Sequence, residues 1–409
     1  MKAIVKPKPV DGQAWPTGFQ IIDKPEPRVE KSNDVVMKVF AGAVCGTDVG
    51  IYNCKESLRT MMLKSLTDPT TVGHEFSGII VDAGKSARAH LARLALEKSK
   101  TNKEIKKLLR GKSPSSLASD KKFLPFLETK FYSTAEMHVT CGMCHQCRIG
   151  EKHVCRNTII KGVQDDGAWS TYVKVPAENV RLFFQREIPP EIISFMDALG
   201  NATHTVLSAP VKGRTVAVLG CGVQGLMAIA VAKHAGAKQI FVTDASHGED
   251  THEKLVSRRF ALAKTYGADF CFDVALEDER RAFFETVKRE TDNTGVDAAY
   301  EMSGSYKAYN DAARILRMGG IFSLLGIPSG TLHVDFAKNI IFSGITVHGI
   351  IGRRVFQTWD QMEELLKAGM AKQFMKTGFI THQLPLEKYE DAFAAIRRGD
   401  AYKVLLKPS

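Results

Sequence analysis

The chain has 409 residues, a length that suggests two or more domains. Of these residues 44% are hydrophobic and 25% charged, a composition typical of globular proteins. It contains no apolar run of the roughly 18 residues that a membrane-spanning helix needs. The formal net charge is +11. Residues 85–130 alone hold 13 Lys and Arg against 4 Asp and Glu, so most of the excess is local and a basic surface over the whole chain is excluded.

The first 85 residues read as short strands separated by turns, and they carry three side chains that can bind a metal ion. Cys45 follows the alternating segment DVVMKVFAGAV, and His74 and Glu75 are adjacent in VGHEFSG. A thiolate, an imidazole and a carboxylate are the ligand types of a catalytic zinc ion that keeps one position open. Taken singly, each also has a simpler interpretation, as a packed cysteine, a satisfied polar group and a helix or strand cap.

Residues 86–130 form a basic insert. The stretch AHLARLALEKSKTNKEIKKLLRG has leucine and isoleucine at near-helical spacing and predicts a helix, whereas GKSPSSLASD reads as a loop. Runs of like charge are usually solvated, so a solvated excursion is the favoured interpretation. Packing across a subunit edge and binding of an acidic partner are the alternatives. A hypothesis from a different functional class is a non-catalytic zinc protein that binds nucleic acid through this insert.

Four cysteines follow the insert, at Cys141, Cys144, Cys147 and Cys155. Their spacing, C-x2-C-x2-C-x7-C, allows four thiolates to close on one tetrahedral ion and predicts a structural zinc site. An iron–sulfur cluster is the main alternative, but the ferredoxin pattern has a shorter last step and ends in Cys-Pro. Disulfides are disfavoured because the amino-terminal sequence lacks a secretory signal, which predicts a reducing, cytoplasmic location.

From about residue 199 strands and helices alternate, which predicts a parallel sheet with helices on both faces. Gly220, Gly222 and Gly225 form G-x-G-x-x-G, with Gln224 inside the motif, between the strand TVAVL and a helix. In that context the glycines let the backbone approach a pyrophosphate, and the helix start favours the anion. Asp244 ends the next strand, where a carboxylate binds the ribose hydroxyls of NAD and repels the 2′-phosphate of NADP.

Two arginines follow this carboxylate at a distance. Arg258 and Arg259 begin the next predicted helix and are candidates for the adenosine phosphate side of the cofactor, with solvated surface as the alternative. An unusual stretch, SHGEDTHEKLV, separates them from Asp244. We expect this stretch to alter adenosine binding without abolishing it.

In their order, these motifs resemble those of the zinc-dependent medium-chain alcohol dehydrogenase family: C-G-T-D-V, G-H-E-F-x-G, the four-cysteine lobe, and G-x-G-x-x-G with a downstream aspartate. The resemblance covers nearly the whole chain apart from about residues 86–130 and 246–256. Within the family it is greatest to members that oxidise L-threonine. The segments behind that similarity are CGTDVGIYN (45–53), EMHVTCGMC (136–144), CRNTI (155–159), LGNATHT (199–205), AVAKHAGA (230–237), EMSG (301–304), LLGIPSG (324–330) and HGIIGRRVFQTW (348–359).

The resemblance implies an α/β fold with two domains and an active site in the cleft between them. The first is a GroES-like, β-rich catalytic domain of residues 1–197 and 352–409, with a structural-zinc lobe at 136–158. The second is a Rossmann domain with a doubly wound parallel sheet, residues 198–351.

The resemblance also implies the roles of individual residues. Cys45, His74 and Glu75 hold the catalytic zinc ion, and Asp197 occupies the position where relatives carry a fourth, exchangeable carboxylate. Thr47 passes the substrate proton towards the ribose. His138 and Glu136 stand where the family places groups near the substrate, with surface or supporting roles as the alternative for Glu136. The nicotinamide is expected to contact Leu325, Gly326, Ile327, Ile350 and Ile351.

The implied function is hydride transfer from a secondary alcohol to NAD, with two zinc ions per chain. Zinc lowers the pKa of a bound hydroxyl, and the hydride chemistry belongs to the cofactor. L-threonine, giving 2-amino-3-oxobutanoate, is the expected substrate, and polyols, butanediol and amino alcohols are the alternatives. The expected partners are small molecules and other copies of the chain in a homotetramer or dimer; nucleic acid is disfavoured and a membrane is not expected.

The sequence departs from the family at two further places. Gly50 stands where relatives carry the histidine that ends the proton relay, and glycine has no side chain to carry a proton. Lys130–Ser133 stands in place of the familiar G-D-R-V strand before the zinc lobe.

Overall fold

The computed structural model describes residues 1–248 and 250–408, so Ser409, the last residue of the predicted catalytic domain, lies outside the described residues. The chain divides into two compact units: residues 1–197 with the chain from Ile380 onward, and Ala198–Phe379. The second unit therefore contains residues 352–379, which the sequence analysis assigned to the first domain. Within the described ranges, no helix has both the length and the apolar character needed to cross a membrane.

The strands fall into two large sheets and two small ones. In chain order they are β1 (Lys2–Lys6), β2 (Gln20–Asp23), β3 (Asp34–Ala43), β4 (Thr70–Thr71), β5 (Glu75–Ala83), β6 (Phe131–Ala135), β7 (His138–Val139), β8 (Ile159–Ile160), β9 (Tyr172–Pro176), β10 (Val180–Phe184), β11 (Thr215–Leu219), β12 (Gln239–Asp244), β13 (Phe270–Asp273), β14 (Val296–Glu301), β15 (Leu316–Leu324), β16 (Thr346–Gly349), β17 (Ile380–Pro385) and β18 (Lys403–Lys407).

The helices are concentrated in the insert and in the second unit. They are α1 (Gly46–Tyr52), α2 (Glu56–Met62), α3 (Lys85–Thr101), α4 (Lys103–Leu108), α5 (Pro114–Ser119), α6 (Phe123–Lys130), α7 (His145–Arg148), α8 (Pro190–Ile193), α9 (Met196–Leu207), α10 (Val223–His234), α11 (His252–Lys254), α12 (Ala261–Tyr266), α13 (Glu277–Glu290), α14 (Tyr306–Ile315), α15 (Gln357–Leu365), α16 (Ala371–Lys376) and α17 (Tyr389–Arg397). Short 3-10 turns span Lys152–Val154, Ala177–Asn179 and Leu386–Lys388, and π-helical turns span Leu255–Phe260, Ala337–Ile341 and Leu366–Met370.

The first unit is built on a seven-stranded sheet in the order β10-β6-β5-β3-β18-β17, with β9 also paired to β3. Strands β3 and β5 are antiparallel, and their register sets Ala43 opposite Glu75. The chain leaves β3 towards Cys45, so this register brings Cys45 close to Glu75 although thirty residues separate them in sequence. A second, three-stranded sheet has the order β2-β1-β4, and β7 pairs with β8.

The second unit is built on a six-stranded parallel sheet in the order β13-β12-β11-β14-β15-β16. The order reverses direction between β11 and β14, which is the position where open α/β sheets bind their ligands at the carboxyl ends of the strands. Helix α10, which follows β11, is buried at every residue from Gly225 to Ala232. The predicted class, a β-rich unit together with a doubly wound parallel sheet, is confirmed.

Residues 352–379 pack against the helices of the parallel sheet. Tyr266 of α12 meets the rings of Phe374 and Phe379 edge-on at 5.4 and 6.2 Å, and its hydroxyl lies 2.7 Å from the Thr377 hydroxyl. Aromatic pairs at these separations stabilise more than their buried area alone. No sequence motif marks these contacts, so the predicted boundary at 352 differs from the one at 380.

The basic insert is packed, not a solvated excursion as the sequence favoured. Its four helices, α3 to α6, bury one apolar side in the same core as β3, β5 and β10, and strand β6 follows them directly, pairing with β10. The charged side chains of the insert are all at least partly exposed. The insert residues in that core are Ala87, Leu91, Ala92, Ala95, Ile105, Leu109, Leu117, Phe123 and Leu127.

The predicted long helix and loop of the insert are both wrong in detail. Asn102 divides the helix, because its side chain accepts a hydrogen bond from the backbone N–H of Ile105 and so caps α4. The segment predicted as a loop contains α5. There Ser113 caps the helix through the N–H of Ser116, and Pro114 occupies the first helical position, where proline fits without loss of a hydrogen bond.

The packing of the insert predicts the effect of a core substitution. Leu91 is fully buried, so Leu91→Ala should lower the free energy of unfolding by about 2–5 kcal/mol through lost burial and a residual cavity. Leu108 belongs to the same insert but is 46% exposed, and Leu108→Ala should cost about 0.5 kcal/mol or less. Urea denaturation measures both. If both substitutions lower the free energy of unfolding by the same small amount, the insert is not packed into the core of the first unit.

Candidate zinc and cofactor sites

Cys45, His74 and Glu75 form one cluster in the first unit. Cys45 precedes α1, and Glu75 begins β5 with His74 just before it. One ligand atom from each, a sulfur, an imidazole nitrogen and a carboxylate oxygen, lies within 4.8 Å of the others. Thr47, in the first turn of α1, places its Oγ1 3.9 Å from the Cys45 sulfur. The structure therefore brings together the three predicted ligands and the predicted proton carrier.

Two residues that the sequence analysis did not assign support this cluster. Asp48 accepts a hydrogen bond from the Cys45 backbone N–H at 2.8 Å, and its other oxygen lies 3.4 Å from Nδ1 of His74. Burial by itself lowers the pKa of His74, but the charges of Asp48 and Cys45 outweigh it and raise that pKa well above its usual value. The position of Asp48, three residues after Cys45, is the one local signal that could have identified it.

The second supporting residue is Lys403 of β18. Its ammonium lies 2.5 Å from Oε2 of Glu75 and donates a hydrogen bond to the Val44 carbonyl at 3.0 Å. Burial lowers the pKa of this lysine, but the Glu75 carboxylate raises it above the usual value. Burial raises the pKa of Glu75, and Lys403 opposes that rise. No local pattern could have identified Lys403, because it comes from the other end of the chain.

The donor set fits a zinc ion. Oε2 of Glu75 contacts the Lys403 ammonium at 2.5 Å, whereas the buried Oε1 has no hydrogen-bond partner within the part of the chain that the structure describes. A buried carboxylate oxygen without a hydrogen bond is costly unless a cation is close to it. A zinc ion among the sulfur, the imidazole and this carboxylate would supply a second positive charge.

A third group of side chains combines two carboxylates with an imidazole. Ligand atoms of Glu136, His138 and Asp197 lie within 4.8 Å of one another, and Nδ1 of His138 is 2.8 Å from Oε1 of Glu136. Glu136 and Asp197 are buried, whereas His138 is partly exposed. Asp197 thus clusters with the two residues expected near the substrate, and its charge also acts on Glu75.

The four cysteines of the lobe converge. Their sulfur atoms lie within 4.8 Å of one another, with separations of 3.6 Å between Cys141 and Cys155 and 3.8 Å between Cys144 and Cys155. These separations are too long for disulfides, whose sulfurs are about 2.05 Å apart. Ligands about 2.3 Å from the centre of a tetrahedron are about 3.8 Å apart, so the sulfurs match a zinc tetrathiolate.

Backbone amides prepare part of this lobe to hold thiolates. N–H groups of Met143 and Cys144 lower the pKa of Cys141 to about 6. Burial raises the pKa of Cys147 to about 12. A divalent cation binds thiolates and displaces their protons, so it would favour the charged form of all four.

The glycine motif follows β11 as predicted from the sequence. Gly220 has φ = +104°, which favours glycine, and Gly222 precedes the first residue of α10. A Cβ atom on Gly225 would lie 1.9 Å from the Gly220 carbonyl oxygen, so this close turn requires glycine. Gln224 lies in the first turn of α10, and its Oε1 is buried without a hydrogen-bond partner among the described residues.

Asp244 ends β12, and Oδ2 of its carboxylate is 2.9 Å from Nη1 of Arg259. Burial raises the pKa of Asp244, and Arg259 opposes that rise. Of the two arginines proposed from the sequence, Arg259 therefore lies beside the candidate ribose site. It also contacts Asp250, a residue that the sequence analysis left unassigned.

The residues expected at the nicotinamide follow two neighbouring strands. Leu325, Gly326 and Ile327 come directly after β15, and Ile350 and Ile351 come directly after β16. The two strands are parallel, with Leu324 opposite Gly349, so the five residues leave the same edge of the sheet. This is the carboxyl edge that also carries the glycine motif and Asp244.

Comparison with known proteins shows which family the chain belongs to. The model of the alcohol dehydrogenase GroES-like domain matches residues 31–93, and the zinc-binding dehydrogenase model matches residues 224–368. The chain is 36% identical to L-threonine 3-dehydrogenase of Bacillus velezensis over 409 residues, which is 100% of this chain and 99% of that protein. It is 34% identical to L-threonine 3-dehydrogenase of Caldanaerobacter subterraneus over 408 residues, with the same coverage.

Among solved structures, 2R,3R-butanediol dehydrogenase from Bacillus subtilis matches with a TM-score of 0.73 at 23% identity, covering 100% of this chain and 99% of that one. At that identity the likeness shows the fold alone. The relatives at 34% and 36% identity over the whole chain, together with the two matching family models, show the family. The chain belongs to the zinc-dependent medium-chain alcohol dehydrogenase family.

Proposed function

We propose that this zinc-binding dehydrogenase acts in the cytoplasm and oxidises the 3-hydroxyl of L-threonine with NAD, giving 2-amino-3-oxobutanoate. The observation that carries the proposal is the cluster of Glu136, His138 and Asp197 beside the candidate metal ligands. Two buried carboxylates favour a cationic ligand, and L-threonine carries an ammonium group next to the carbon that is oxidised. The relatives named L-threonine 3-dehydrogenase support the same substrate.

The metal ligands would divide between two sites, so the proposal includes two zinc ions per chain. Cys45, His74 and Glu75 would hold the catalytic ion, which when bound lowers the pKa of a coordinated hydroxyl. The four cysteines of the lobe would hold the structural ion. Asp48 orients the first set through the Cys45 N–H and Nδ1 of His74. Thr47 Oγ1, 3.9 Å from the Cys45 sulfur, would accept the hydroxyl proton and pass its own proton on towards the ribose.

NAD is the cofactor that the Rossmann unit suits. The start of α10 and the turn at Gly220 offer backbone N–H groups to a pyrophosphate. Asp244 would accept hydrogen bonds from ribose hydroxyls and repel a 2′-phosphate. The hydride chemistry belongs to the nicotinamide, and the protein contributes binding and orientation.

Steady-state assays test the substrate. NADH formation should occur with L-threonine, and Glu136→Gln and Asp197→Asn should each raise KM for L-threonine more than KM for 2-butanol, which has no ammonium group. Equal effects on both substrates would contradict the inference that these two carboxylates bind the ammonium group of L-threonine. Turnover of butanediol or a polyol without any turnover of L-threonine would contradict the proposed substrate while leaving the dehydrogenase activity intact.

The structure gives a physical reason for Gly50, and with it a prediction. A Cβ atom on Gly50 would lie 2.5 Å from Cδ1 of Leu58, so the side chain of Leu58 fills the space beside this position. Gly50→His alone should lose about 1–3 kcal/mol of stability through overpacking and gain no activity. Gly50→His combined with Leu58→Ala should recover that stability and raise kcat at neutral pH. Leu58→Ala alone is the control, and a single Gly50→His variant that is stable and faster would contradict this account.

We further propose that the chain forms a homo-oligomer through β16. This strand lies at the edge of the parallel sheet, and Val347 on it is 42% exposed. Phe336, Ile341 and Phe342 nearby in sequence are 65–75% exposed, and an apolar groove of about 440 Å³ reaches Phe336 and Val347. Open edges beside apolar surface pair readily with a second strand. Val347→Lys should shift the mass measured by light scattering towards the monomer; an unchanged mass would place the interface elsewhere.

A further inference from the structure

We propose that Asp250 selects the cofactor: it holds Arg259 against Asp244 and thereby denies that guanidinium to a 2′-phosphate. The inference deepens the proposed NAD-dependent function and rests on it. It assigns a role to the unusual stretch at residues 246–256, which neither the zinc sites nor the glycine motif uses.

The two ends of the Arg259 guanidinium are engaged by different carboxylates. Nη1 lies 2.9 Å from Oδ2 of Asp244, and Nη2 contacts Oδ2 of Asp250. Arginine binds a phosphate or a carboxylate most strongly when both arms of its planar fork face the same group. With Nη1 beside one aspartate and Nη2 on the other, these two arms do not face a single phosphate.

The backbone fixes Asp250 in this position. His247 and Asp250 form an isolated bridge, in which each backbone N–H donates to the carbonyl of the other at 2.9 Å. Thr251 then caps α11 through the N–H of Lys254. The Asp250 backbone is therefore held by the bridge to His247 and by the capped helix that follows, and its carboxylate already contacts Arg259.

The local charge decides which ribose is accepted. Asp244, Asp250 and Arg259 together carry a net charge of −1. Other titratable groups near these three include Cys221, which lies close to Asp244 and Arg259, His247, beside Asp244, and the pair of His252 with Asp273 at 3.0 Å. A phosphate on the 2′-oxygen adds about −1.5 to −2 charges and would be repelled. A free hydroxyl is neutral and can donate to Asp244.

Asp250 thus adds a second negative charge to that of Asp244, and it comes from the unusual stretch at residues 246–256. Without it the group would be neutral and one arm of Arg259 would be free. Because its side chain is 31% exposed, its replacement should leave the fold intact.

Calorimetric titration with two adenosine ligands tests the proposal without turnover. The protein as purified should bind 5′-AMP, which has a free 2′-hydroxyl, more tightly than 2′,5′-ADP, which differs only in carrying the 2′-phosphate. Asp250→Asn should reduce this preference by roughly tenfold, mainly by tightening 2′,5′-ADP, as removal of one nearby charge implies. Glu253→Gln removes an equal charge from the same segment and is the matched control; it should leave the preference nearly unchanged.

A second variant keeps the test specific to Arg259. Arg259→Gln combined with Asp250→Asn should not show the gain in 2′,5′-ADP affinity, because the gain comes from the freed guanidinium. An unchanged preference in Asp250→Asn, or an equal gain in the double variant, would overturn the proposed role of Asp250. Failure of the unaltered protein to bind either 5′-AMP or NAD would instead contradict the proposed cofactor.

Discussion

Cys147→Ser should reduce the zinc content from about two ions per chain to about one and lower the melting temperature. Cys147 is one of four sulfurs that lie at the spacing of a tetrahedral tetrathiolate. Its thiol is buried, and burial raises its pKa to about 12, so without a bound cation it would stay protonated at neutral pH. A serine hydroxyl in its place is a poor ligand for zinc.

The expected loss is large because the lobe has little else to hold it. Its regular structure is limited to the two-residue strand β7, which pairs with β8 just after the lobe, the four-residue helix α7 and one short turn. Structural zinc ions in small peptides stabilise the folded form by about 10–16 kcal/mol, and metal binding there is largely folding energy. In this larger chain we expect the lobe to lose order while the two main sheets remain.

Metal analysis by mass spectrometry and limited proteolysis measure the outcome. The matched control is Cys271→Ser, because Cys271 lies on β13 outside both cysteine-containing clusters. That variant should keep about two zinc ions. Retention of both ions in Cys147→Ser would contradict the assignment of the lobe as a zinc site, and loss of both would indicate that the two sites depend on each other.

The second large effect is expected at Lys403. Replacing it with methionine would leave the Glu75 carboxylate buried without its closest cation, since Lys403 Nζ lies 2.5 Å away and both side chains are at most 2% exposed. Removing one partner of a buried ion pair typically costs about 3–5 kcal/mol. Lys403→Met should lower the free energy of unfolding of the chelator-treated protein by about that amount.

A double variant separates the charge from the packing. Glu75→Gln added to Lys403→Met removes both charges and should restore much of the lost stability, because a buried unpaired charge costs more than a neutral pair. Urea denaturation after chelation gives both values. If Lys403→Met is as stable as the unaltered chain, the ion pair is not an important contact. If Lys403→Arg is as damaging as Lys403→Met, charge alone does not explain the role of the lysine.

The parts of the site that the sequence predicted are those whose chemistry is local. The four lobe cysteines fall within fifteen residues, and the turn after β11 needs glycine at fixed steps, so spacing alone points to a metal and a pyrophosphate. Cys45 and His74 are further apart in the chain. The sequence shows that both can bind a metal ion, but it does not show how far apart they lie in space. The β3–β5 register supplies that distance.

Local sequence patterns were least informative for the segments whose structure depends on tertiary packing. The insert reads as a charged, solvated stretch because its lysines dominate the sequence, yet its apolar positions are part of the main core. The predicted loop became α5 because Ser113 and Pro114 form a helix start, a signal that the high serine content concealed. The segment at 352–379 joined the second unit through ring contacts with Tyr266 that no sequence motif marks.

The amino-acid sequence by itself determined the fold class, the family, and the residue types that can hold zinc and a dinucleotide, because these depend on short spacings and on strand and helix periodicity. Only the tertiary structure decided which side chains surround those residues. Lys403 reaches Glu75 from β18, Leu58 fills the space beside Gly50, and Asp250 meets Arg259, nine residues further along the chain. Such contacts join segments that are distant or irregular in sequence, so they arise only when the sheets pair and the helices pack.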